Sequence, residues 1–176
     1  MRKLLVIALS VCTLAACKKD DNKNQSAAST DFSSYREFDV NGVYLGNIGN
    51  AGDDYASENW PEWVFEGFKP LDTVNLTGYR MQPDVNVQAL YPNPCRDIQT
   101  LKYFSVEPVN LKLMIIDEQK NVHFLKSVHL NNINGSVPLD YAGLSLIPGN
   151  HYRMFFGFSA ENKQFYVRGH IDMYIK

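Results

Sequence analysis

Side chains able to do chemistry are scattered in this chain. Its four histidines, His123, His129, His151 and His170, lie without the closely spaced partners that a zinc site uses. His123 and His129 are an even number of positions apart and would share one face of an extended strand. Six residues at about 3.3 Å each nevertheless separate them by roughly 20 Å, too far to hold one ion. The chain contains no Gly-x-Ser-x-Gly elbow, His-Glu-x-x-His helix or phosphate-cradling glycine loop. Its carboxylates are dispersed through turn-like segments, the ordinary solvated distribution. No residue is nominated as catalytic, no metal or cofactor is expected, and the protein is read as a non-enzyme.

The three cysteines divide by position. Cys12 and Cys17 lie in or beside a leader-like segment: Arg2 and Lys3 give a positive start, Leu4 to Leu14 an apolar run, and Ala15 and Ala16 the small residues that precede a cleavage point. The apolar run falls short of the roughly 20 residues needed to span a bilayer as a helix. Cys12 leaves with this leader and Cys17, at the new start of the chain, is expected to carry lipid, so Cys95 has no intramolecular partner. Packing, not disulfides, must therefore hold the fold, even in an oxidising compartment. With no adjacent His or Lys, Cys95 reads as a small buried hydrophobe and not as a nucleophile.

Leu14-Ala15-Ala16-Cys17 resembles the bacterial lipobox, and all four positions match. The resemblance implies a signal peptide over residues 1–16, a diacylglycerol on the Cys17 sulfur, and a further acyl chain, palmitate for example, on the freed amine. Two or three chains would make the attachment stable, because each buried methylene contributes about 0.8 kcal/mol. From Lys18 to Thr30 the residues are polar or small, too poor in apolar surface to offset the entropy of ordering, so residues 17–34 are expected to form a flexible tether. Within it, Lys19-Asp20-Asp21 is similar to the signal that sends lipoproteins of the Bacteroidota to the outer face of their outer membrane. The alternative is a plain linker on a lipoprotein facing the periplasm.

The formal charge of the whole chain is −2, and loss of Arg2 and Lys3 with the leader makes the remainder more acidic. Outside the tether there is no basic run, and nucleic acid is not an expected partner. From Asp31 onward aromatics and β-branched residues recur in alternating patterns bounded by Gly, Pro and Asn, which predicts an all-β fold. Predicted strands are Phe38–Gly46, Leu71–Leu76, Val85–Tyr91, Gln99–Phe104, Val109–Ile116, Val122–Leu130, Ser136–Leu139, His151–Phe158 and Gln164–Ile175. A long loop is expected over Asn47–Pro61. In Val109–Ile116, Val109, Leu111, Leu113 and Ile115 fall on one face, and Asn110, Lys112, Met114 and Ile116 on the other. Strands repeated at such intervals suggest two antiparallel sheets packed as an immunoglobulin-like sandwich over residues 35–176.

Tyr91-Pro92-Asn93-Pro94, the apolar strand ending at Asp117, and Leu144 to Gly149 followed by Tyr152 are similar to the C-terminal sorting domain of type IX secretion cargo, a small immunoglobulin-like sandwich. The similarity runs from Tyr91 to the end and implies the fold and a link to secretion. The chain departs from that family where Gln119 or Asn121 replaces a usual hairpin glycine and where the closing strands run longer.

Two further features concern recognition. Trp60 and Trp63, the chain's two tryptophans, flank Pro61-Glu62 and could stack on a sugar or peptide, or plug one end of the sandwich as large aromatics usually do. Asp72-Thr73-Val74 matches the short acceptor pattern of O-glycosylation known in the Bacteroidota, which would place a glycan on Thr73. The resulting expectation is an outer-membrane-anchored noncatalytic module whose partners are the membrane, through lipid on Cys17, and an envelope protein or glycan. A structural or assembly lipoprotein allied to a secretion system is the alternative.

Overall fold

Alternation of side-chain character becomes strand over most of the chain described by the computed structural model, which covers residues 32–51, 60–71, 85–131, 134–159 and 165–176. In chain order the elements are β1 (Tyr35–Phe38), β2 (Tyr44–Ile48), α1 (Glu62–Phe68), a 3-10 turn (Lys69–Leu71), β3 (Val85–Tyr91), β4 (Ile98–Ser105), β5 (Val109–Ile116), β6 (Val122–Leu130), β7 (Asn134–Asp140), β8 (His151–Ser159) and β9 (Phe165–Tyr174). A three-stranded sheet in the order β3-β4-β7 faces a four-stranded sheet in the order β6-β5-β8-β9. Every pairing is antiparallel. The chain changes sheet between β4 and β5, between β6 and β7, and between β7 and β8, the crossed connectivity of an immunoglobulin-like sandwich.

The inner faces meet in one apolar core. Leu101 and Leu139 from the smaller sheet pack with Leu111, Leu113, Phe156 and Phe158 from the larger. As the alternation of β5 predicts, Val109, Leu111, Leu113 and Ile115 all enter this core, while Met114 and Ile116 enter a second cluster on the outer face. From Leu113 to Ile116 β5 is therefore apolar on both sides because both sides are covered.

The cover on the outer face includes α1, an element the all-β reading did not contain. Val64 and Phe68 are four residues apart on α1 and share a face, and Trp60, just before the extended cap residue Pro61, packs against the same side. They pack with Phe32, Met114, Ile116 and Phe155. Gly67 permits the close approach: a Cβ there would lie 2.5 Å from the Met114 sulfur.

Phe38–Gly46 does not form a strand; it spans the end of β1, a turn and the start of β2. Asp39 reverses the chain by accepting hydrogen bonds from the backbone N–H groups of Asn41 and Val43, both at 2.8 Å, and Gly42 takes the positive φ of 77° that the turn needs. Strand β2 also claims Asn47 and Ile48 from the expected loop. Leu71 lies in the 3-10 turn and does not open a strand; residues 72–76, with Thr73, lie outside the described residues, as do Cys17, Lys19, Asp20 and Asp21.

Candidate functional site

The tryptophans occupy different environments although only two residues separate them. Trp60 is 5% exposed; its ring stacks on Phe68 at 5.2 Å between centroids and meets the edge of Phe155 at 5.9 Å. It serves packing, and its faces are not presented to a ligand. Trp63 is partly buried, edge-on to Phe155 at 5.6 Å, with the Lys120 ammonium 4.9 Å from its ring centre. Helix α1 and the β5–β6 turn thus meet across a cation–π contact at the rim of the second core.

Beside this core the outer face of β8 and β9 carries a buried ion pair. Arg153 and Asp172 stand opposite one another in register, and the guanidinium grips the carboxylate through Nε at 2.6 Å and Nη2 at 2.7 Å. The side chains are 3% and 6% exposed, and the Phe32 ring lies 4.4 Å from the guanidinium carbon. A two-point grip of this kind offsets the cost of taking both charges out of water. Sequence reasoning missed the pair because its members are distant in the chain. The available signal was Arg153 inside the aromatic-rich β8 and Asp172 between the apolar Ile171 and Met173 of β9.

Asn93, at the centre of the Tyr91-Pro92-Asn93-Pro94 segment, ties β1 to β9. Its Nδ2 donates to the carbonyls of Arg36 and Asp172, each at 3.0 Å, and its Oδ1 accepts from the Tyr174 N–H at 3.2 Å. Backbone bonds to Phe38 run in both directions, at 2.9 and 3.1 Å. Nearby, Gln99 donates to the Pro92 carbonyl at 2.7 Å and accepts from the Tyr141 hydroxyl at 2.9 Å. The segment works as a framework joint between the hairpin and the sandwich.

The histidines do not converge. A bulge between Ile115 and Ile116 sets His123 out of the β5–β6 register, so the even spacing to His129 does not translate into a shared face. His123 Nε2 lies 2.9 Å from Asp117 Oδ2, and its ring meets Tyr152 edge-on; His129 Nδ1 instead lies 2.8 Å from Asn110 Oδ1. Burial raises the Asp117 carboxyl, but the Asn121 side chain, His123 and the Asn121 backbone outweigh it and hold the group below its ordinary value. The arrangement closes the β5–β6 turn. Burial, with a smaller contribution from Asp97, pushes the Cys95 thiol up to about 12, so it stays protonated and unreactive at neutral pH. Among the described residues no group of three or more His, Cys, Asp or Glu side chains lies where it could hold a metal ion.

Among the described residues large apolar side chains are exposed at Ile98, Val106, Val122 and Ile147, and several more gather in one hairpin. Val40, Val43, Tyr44, Leu45 and Ile48, all in the β1–β2 hairpin, are exposed. Among the described residues no helix is long and apolar enough to cross a membrane. Neither a protein-family model nor a curated protein matches the chain.

Proposed function

We propose that this protein is a noncatalytic contact module of a bacterial outer membrane, anchored by lipid on Cys17, held on a tether shorter than the expected 17–34 because Phe32 is packed in the second core, and directed to the cell surface by Lys19-Asp20-Asp21. The observation that carries the reading is the exposed, apolar hairpin on a fold whose characteristic polar groups, Arg153 with Asp172, Asn93, and Asp117 with His123, serve as framework. A surface of that kind suits contact and not chemistry. A protein partner fits better than a glycan, since the enclosure of Trp60 leaves Trp63 alone as stacking surface. A structural or assembly role allied to a secretion system is the second reading, favoured by the same exposed apolar residues.

The test combines metabolic palmitate labelling with protease shaving of intact cells. Label is expected on the wild-type chain and lost in Cys17→Ser. Shaving is expected to cleave the wild type and to spare a variant with Lys19, Asp20 and Asp21 replaced by alanine. Equal protection of both chains would rule out surface display, and label retained in Cys17→Ser would rule out the anchor.

A further inference from the structure

Strand β2 pairs with β1 alone among the described residues, and the apolar side chains of the turn before it and of the strand itself are exposed: Val40 is 74% exposed and Val43 57% in the turn, Leu45 58% in β2, with Tyr44 and Ile48 beside it. From Val40 to Ala51 the chain carries no charged residue. The turn's carboxylate, Asp39, bonds back to the N–H groups of Asn41 and Val43; Arg36 and Glu37 lie further back on β1. An uncharged apolar surface in an acidic chain is ordinarily covered by something.

Three covers are conceivable: an added partner strand, a second copy of this chain, or lipid. Strand addition needs a regular free edge. Here the β1–β2 ladder shifts register between Glu37 and Phe38, opposite the segment Tyr44–Gly46, a break that discourages edge-to-edge pairing. A lipid surface needs no register, only apolar side chains on a turn and its flanking strand, with a tyrosine suited to the headgroup boundary. Chain geometry favours lipid too. Residues 18–31 separate Cys17 from the packed Phe32 and span at most about 50 Å at roughly 3.5 Å per residue, and the hairpin is the first described element after Phe32.

We propose that the β1–β2 hairpin is a second membrane contact, with Val40, Val43, Tyr44 and Leu45 seated in the interfacial layer of the leaflet that receives the Cys17 lipid. The proposal rests on the anchoring reading above and gives the hairpin to lipid, so that a protein partner would meet another part of the surface. Tethering makes the weak apolar contact effective by confining the hairpin near the bilayer.

The test uses the processed, lipidated chain in phosphatidylethanolamine–phosphatidylglycerol vesicles containing a doxyl-labelled phosphatidylcholine. Leu45→Cys and, as a reference on exposed Val122 at the start of β6, Val122→Cys are each labelled with an environment-sensitive fluorophore. The expected result is flotation of both proteins with vesicles, and several-fold stronger quenching at position 45 than at 122. Flotation with equal quenching at the two positions overturns the docked hairpin and leaves the anchor standing. Failure to float overturns the anchor and the docking with it. Shielding at position 45 without vesicles, with a doubled particle mass, assigns the hairpin to a second copy and also overturns the proposal.

Discussion

Arg153 and Asp172 show what a charge requires when both faces of a sheet are covered. Each sits in a strand rich in apolar residues, and register places each directly across from the other, so neither is buried alone. Removing one partner takes the two-point grip from a charge that stays buried beside the second core. Asp172→Ala is therefore expected to lower unfolding free energy by about 3–5 kcal/mol, whereas Arg153→Met combined with Asp172→Leu should recover most of that loss. Urea unfolding of the three proteins checks this. A single-variant loss below about 1 kcal/mol, the range of exposed pairs, would mean that the pair is solvated. Cys95 illustrates the opposite economy: a thiol surrounded by apolar groups needs no partner, and Tyr141, fully enclosed nearby, is likewise kept protonated by burial.

At the scale of elements, the strands were largely legible and the helix was not. The ends of β3, β5 and β6 coincide with the predicted ones because each has a clear two-residue rhythm and a polar turn beyond it. Helix α1 has seven residues, too few for a 3.6-residue rhythm to stand out, and a helix that short owes its existence to docking. Its Phe68 is fully buried against Trp60. Phe68→Ala should cost about 3–5 kcal/mol and should red-shift tryptophan emission as Trp60 becomes hydrated. Leu45→Ser, on the exposed hairpin, should change stability by no more than about 0.5 kcal/mol. Thermal melts followed by fluorescence compare the two, and a Phe68→Ala protein as stable as the wild type would show that α1 is not held by its apolar face. The β1–β2 hairpin was misread as one strand because the turn depends on an aspartate bonding to its own following backbone, inside a run that alternates on both sides of it.

For the molecule as a whole, β5 and β8 are the shared wall of two cores: Leu113 and Phe156 face the sandwich, Met114 and Phe155 face the helix. Damage to one core should therefore be felt in the other. Unfolding followed by far-ultraviolet circular dichroism, which reports the strands, and by tryptophan fluorescence, which reports the helical corner, is expected to give a single coincident transition. Two separated midpoints would show that the helical corner melts independently. The sequence by itself determined which stretches are extended and which side chains of each strand share a face, because alternation is a local property of the backbone; the proposed anchor likewise rests on the sequence alone, on the residues around Cys17. The tertiary structure alone decided that Trp60 is enclosed, that Arg153 meets Asp172, that Asn93 joins the hairpin to β9 and that the hairpin's apolar residues stay uncovered. Each of those depends on which faces and edges come together across long stretches of chain, and no local pattern encodes that meeting.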